Sequence, residues 1–119
     1  MNDPAGQEDF LAEVRSREEA ATAALTQAAG NASLCALSRS GASHPAAKFH
    51  EGAAAALAQV RRLLTRQAGT PPAAAITSVR DDWNDQNAVL AQRSRDWAAY
   101  HAGGLEALDG LAELAPDPD

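Results

Sequence analysis

An all-α fold is predicted: an antiparallel three-helix bundle running up-down-up, with a short fourth helix at the C-terminus and coiled-coil-like packing. Three observations lead there. Ala, Glu, Lys, Leu and Arg supply 59 of 119 residues, about the half that marks long helices and coiled coils. Only ten residues are β-branched, too few to build a sheet. Three stretches carry apolar residues at alternating steps of three and four, the heptad spacing. Two breaks separate them, Ser40-Gly41-Ala42-Ser43-His44-Pro45 and Gly69-Thr70-Pro71-Pro72. Residues 1–115 read as one helical domain and 116–119 as an acidic tail.

The first helix is predicted over about 8–39, with a seam of Leu11, Val14, Glu18, Ala21, Leu25 and Ala28. Gly30-Asn31 is a turn-prone pair and predicts a kink or short break at 30–31. The second helix is predicted over 45–68, because the residue before a proline avoids the α region and leaves His44 outside. Its seam is Phe49, Ala53, Ala56, Val60 and Leu63, widened by Leu57 and Leu64. Gly52 costs about 1 kcal/mol relative to Ala inside a helix; a second backbone coming close there would account for it. The third helix is predicted over 72–102, starting near Pro72 or at the capping-box-like Ser78-Val79-Arg80-Asp81. Its seam holds Ile76, Val79, Trp83, Gln86, Leu90, Arg93, Trp97 and Tyr100. Gly103-Gly104 is expected to end or kink it. A last helix over 104–115 places Leu105, Leu108, Leu111 and Leu114 on one stripe, and Pro116 stops it.

The large apolar side chains are few: Leu, Ile, Val and Phe make 19 residues. The core is therefore expected to be thin, with alanine allowing close helix approach, and association is a route to burying more surface. One cysteine, Cys35, excludes an internal disulfide and suits a reducing cytosol. The first residues lack a basic stretch followed by an apolar one, so a secretory signal is not expected. No run is apolar enough for a membrane span. The expected compartment is cytoplasmic. Charge is uneven: residues 1–38 carry −4, 39–69 carry +4, 70–104 carry −1 and 105–119 carry −5. Complementary packing between neighbouring helices explains that pattern, and an anionic partner on the middle helix is the functional alternative.

Few residues suggest chemistry. None of the three histidines has a carboxylate three residues before it, as a di-iron bundle motif needs. His50-Glu51 lacks the second histidine of a zinc-protease helix. Glu18 falls on an apolar seam; pairing with an arginine of the basic middle helix, or snorkelling to water, accounts for it. A buried carboxylate of raised pKa is the functional alternative. Cys35 sits among Leu34, Ala36 and Leu37 and reads as a small buried side chain. His101 reads as a helix-end histidine.

The strongest binding signal is aromatic. Trp83, Gln86, Leu90, Arg93, Trp97 and Tyr100 share one predicted stripe, and Trp, Tyr and Arg are enriched at interfaces. The expectation is a non-enzymatic helical interaction or structural module that self-associates through this stripe, a dimer foremost, or takes a helical protein partner. No cofactor and no metal are expected. The second reading is a nucleic-acid-associated regulator using Arg39, Lys48, Arg61, Arg62 and Arg66 as an anion-binding patch. A third is a bundle enzyme with a small ligand or metal inside.

Overall fold

The computed structural model describes residues 4–30 and 44–115, and it is an all-α bundle. The elements are α1 (Pro4–Ala28), α2 (Pro45–Arg66), α3 (Pro72–Asp82), a π-helical turn (Trp83–Asn87), α4 (Ala88–Ala91) and α5 (Arg95–Leu114). Proline stands at the first helical position of α2 and α3, where its missing N–H costs nothing and its fixed φ suits the helix. Pro4 opens α1 as well, four residues before the predicted start. Gly30 (φ +64°) and Gly69 (φ +90°) are left-handed at the ends of α1 and α2, the usual place for glycine after a helix. The predicted continuation of the first helix to residue 39, with Cys35 and Arg39, lies outside the described residues.

The predicted third helix over 72–102 is not one helix. After α4 the chain turns at Gln92 and Arg93, whose amides donate to the carbonyls of Val89 and Leu90. Ser94 is extended (φ −162°) and caps α5, its Oγ accepting from the amide of Trp97 at 3.2 Å. Asp96 adds first-turn negative charge, which the helix dipole favours, and accepts from the backbone amide of His44 at 3.0 Å. The expected stop at Gly103-Gly104 is absent: both glycines lie buried inside α5.

The chain thus runs up-down-up-down rather than up-down-up with a short appendix. α1 is antiparallel to α2: Glu8 and Leu11 share a cavity wall with Leu64 and Ala68, and Glu18 meets Arg61 farther along. α3 returns along α2, with Trp83 reaching Gln59. α5 then runs in the same direction as α2, linked at their starts by His44 and Asp96. α2 is the central helix, packed on both α1 and α5.

Gly52 and Gly103 mark the crossing of α2 and α5. A Cβ on Gly52 would stand 2.7 Å from the carbonyl carbon of Tyr100, and one on Gly103 would stand 2.8 Å from that of Phe49. Each glycine receives the other helix's backbone, so the two axes approach more closely than any side chain allows. Gly104 faces the ring of Trp83, and a Cβ there would lie 2.6 Å from Cη2. These packing demands outweigh the glycine penalty within a helix.

The core gathers Phe10, Val14, Leu57, Val60, Ile76, Val79, Trp83, Leu108 and Leu111. Ala47, Ala56, Ala58 and Ala75 are also buried, so the interior is as alanine-rich as the composition suggests. Phe10, outside the predicted seam of α1, is buried, whereas Ala28 on that seam is exposed.

Candidate binding surfaces

The aromatic stripe does not survive as a single face. The turn at Gln92–Ser94 folds its second half back on its first, so Trp83 and Tyr100 meet instead of standing in line. Their rings stack at 5.1 Å between centroids and 23° between planes. Trp83 is 1% exposed, and its Nε1–H donates to Gln59 Oε1 at 3.0 Å. It is a core residue and is withdrawn from any partner interface. Tyr100 is half-buried beneath it and touches Trp97 edge-on at 5.3 Å. Leu90 and Trp97 are half-buried, and Gln86 and Arg93 are exposed.

Lys48 does not face the other basic residues. Its ammonium stands 4.7 Å over the ring of Trp97 and 3.2 Å from Glu51 Oε2, a charge contact without hydrogen-bond alignment. Burial first, and the Glu51 carboxylate second, raise the Tyr100 pKa above its ordinary value. A raised phenol pKa stabilises the fold in full below the unfolded value of about 10, and that contribution is lost as pH climbs through the folded value. Tyr100 is the one tyrosine of the chain, so tyrosinate absorbance reports it alone. The midpoint is expected to be higher in the native protein than in urea, and Glu51→Gln is expected to bring it part of the way down. Equal midpoints in the two states would contradict the placement of Tyr100.

Arg61 pairs with Glu18 through two hydrogen bonds, Nε to Oε1 at 2.6 Å and Nη2 to Oε2 at 3.2 Å. This is the structural account of a carboxylate on an apolar seam. The bond and charge of Glu18 push the Arg61 pKa still higher. Both side chains are partly exposed, which limits the pair to about 1 kcal/mol. Arg17 pairs with Glu13, and Arg80 with Asp109.

Arg62 and Arg66 differ from these. Neither makes an ion pair among the described residues, and both are exposed. They stand on one wall of a cleft of about 410 Å³ between α2 and the α3–π segment. Ser78, Asp82 and Gln86 form the opposite wall, and Leu63, Val79 and Trp83 line it below. Of the five basic residues read as an anion-binding patch, the structure brings together only these two. Arg61 and Lys48 are engaged elsewhere, and Arg39 lies outside the described residues. The sequence signal that could have located the cleft is Gln59, four residues before Leu63 and on the same face as Arg62 and Arg66.

A third feature is the tip of the α4–α5 hairpin. Val89 is 60% exposed there, beside half-buried Leu90 and near the start of α5, where half-buried Trp97 lies. Among the described residues, no group of His, Cys, Asp and Glu is placed to hold a metal ion, and no helix is long and apolar enough to cross a membrane. Comparison with protein families, curated proteins and solved structures finds nothing that matches this chain.

Proposed function

We propose that this chain is a non-enzymatic helical interaction module that self-associates as a dimer through the tip of its α4–α5 hairpin. The observation that carries this reading is the exposure of Val89, the most exposed large apolar side chain among the described residues. It projects from a four-residue helix that packs chiefly against α5. Gln86, Leu90, Arg93 and Trp97 remain from the predicted stripe on the segment from the π-helical turn to the start of α5; Trp83 and Tyr100 drop out because they face each other inside. An apolar centre with an arginine and a tryptophan nearby has the composition of interfaces. The thin, alanine-rich core supports the same reading, since association adds stability that the monomer lacks. Engagement of Arg61 by Glu18 and of Lys48 by Glu51 takes away two of the charges on which a nucleic-acid reading rests. A cytoplasmic setting goes with a chain that has one cysteine.

Size-exclusion chromatography with light scattering tests the proposal. The native chain is expected to be a dimer at micromolar concentration, and Val89→Glu is expected to be a monomer with unchanged helicity. A native monomer, or a Val89→Glu dimer of unaltered affinity, would refute it.

A further inference from the structure

We infer that the cleft between α2 and the α3–π segment is a binding site for a small organic anion, with its phosphate or carboxylate group held by Arg62 and Arg66. The hairpin tip is a separate surface, so this site stands or falls independently of self-association.

Four observations lead to it. First, Arg17, Arg61 and Arg80 are each matched to a carboxylate, whereas Arg62 and Arg66, one helical turn apart on α2, are matched to none among the described residues. Guanidinium groups at that spacing can take one oxyanion between them, through charge-assisted hydrogen bonds. Second, Gln59 has its oxygen occupied by the Trp83 N–H. That bond fixes the orientation of the amide and leaves both of its N–H donors for another acceptor. Third, the opposite wall is formed partly by the π-helical turn. Such turns are rare and are found often at functional sites. Here the turn carries Trp83 inward while Gln86 stays at the mouth of the cleft. Fourth, the cleft is of small-molecule size, about 410 Å³, within the usual range of ligand sites.

Asp82 gives the site its selectivity. A carboxylate on the wall facing two arginines disfavours a bare polyanion and favours a molecule with an oxyanion at one end and a hydrogen-bond donor at the other. Leu63 and Val79 supply an apolar bed for the body between those ends. A phosphorylated or carboxylated metabolite with a planar, amine-bearing body fits this pattern; a long phosphate backbone does not.

Calorimetric titration of the native full chain tests the site with adenosine monophosphate, 4-aminobenzoate, inorganic phosphate, adenosine and an oligoaspartate peptide as probes. Saturable binding of adenosine monophosphate or 4-aminobenzoate is expected, and which of the two binds more tightly identifies the headgroup as phosphate or carboxylate. Inorganic phosphate is expected to bind more weakly than either, and adenosine not at all. Arg62→Gln and Arg66→Gln are each expected to weaken binding about tenfold without changing the thermal midpoint, as both side chains are exposed. Trp83 emission, read in a Trp97→Phe background, is expected to change with occupancy at the same midpoint. The inference is overturned if no small anion binds up to roughly 10 mM, if either arginine variant binds as the native chain does, or if only the oligoaspartate peptide binds.

Discussion

Gly103→Ala is expected to destabilise the protein by about 2 kcal/mol or more, lowering the thermal midpoint by roughly 5–10 °C. Helix propensity alone argues the opposite sign, because replacing glycine by alanine within a helix gains about 1 kcal/mol. Steric contact decides the outcome. The new methyl would meet the backbone carbonyl of Phe49, which belongs to the central helix and cannot rotate away. α2 and α5 would have to separate, and the reciprocal contact of Gly52 with Tyr100 would open with them. Loss of that packing is spread along the whole α2–α5 contact, including Leu57, Val60, Leu108 and Leu111. Gly110→Ala is the internal control. It lies on the same helix, but its new Cβ would meet only the end of the Arg17 side chain, 2.9 Å away, and that end can move. There the propensity gain should prevail, with a rise in stability of about 0.5–1 kcal/mol. Thermal denaturation of the two variants beside the native chain provides the check. If Gly103→Ala stabilised the protein as Gly110→Ala does, the close crossing of α2 and α5 would be refuted.

The same glycines show where sequence reasoning succeeds and where it stops. Gly52 was legible as a point of close backbone approach because it interrupts an alanine-rich helix without any turn signal beside it. Gly103-Gly104 carries the identical meaning, yet two adjacent glycines resemble a helix end, and only the partner surfaces, Phe49 and Trp83, reveal otherwise. The break at Gln92–Ser94 is hidden for a related reason. Ser94-Arg95-Asp96-Trp97 is a sound helix start, with a capping serine and an early acid. The seven-residue recurrence of Trp83, Leu90 and Trp97 runs straight across it and masks that local start. Once the chain turns there, the interval between Trp83 and Trp97 no longer describes one face. Pairing of Glu18 with an arginine of the basic middle helix is one of two readings that the sequence supports, the other being snorkelling to water, and the structure shows the pair with Arg61. Which of the basic residues stay unpaired is not legible in the sequence, since that depends on the rotation of α2 against α1 and α3. The cleft of Arg62 and Arg66 is the product of that rotation.

Trp83→Ala is expected to cost about 3–5 kcal/mol, a large share of the roughly 5–15 kcal/mol by which a domain of this kind is stable. The side chain is among the largest fully buried groups in the protein and ties the π-helical turn to both α2 and α5. Its ring covers Gly104, stacks on Tyr100 and lies 6.3 Å from the His101 ring, while its N–H reaches across to Gln59 on α2. Removing it leaves a void bounded by helix backbone, which cannot collapse to fill it, and the π-helical turn loses the contact that holds it inward. Trp83→Phe keeps a ring over Gly104 but forfeits the hydrogen bond and some volume, so a loss of about 1–2 kcal/mol is expected. Trp97→Ala is the informative comparison. In the linear sequence the two tryptophans occupy equivalent heptad positions, and a continuous helix would make their substitutions cost alike. In the folded chain Trp97 is half-buried, touching Lys48 and the edge of Tyr100, and its removal should cost clearly less than that of Trp83. Urea denaturation followed by far-ultraviolet circular dichroism measures all three variants. Equal losses at 83 and 97 would mean that the chain does not reverse at Ser94, and the four-element bundle would have to be abandoned for the uninterrupted third helix.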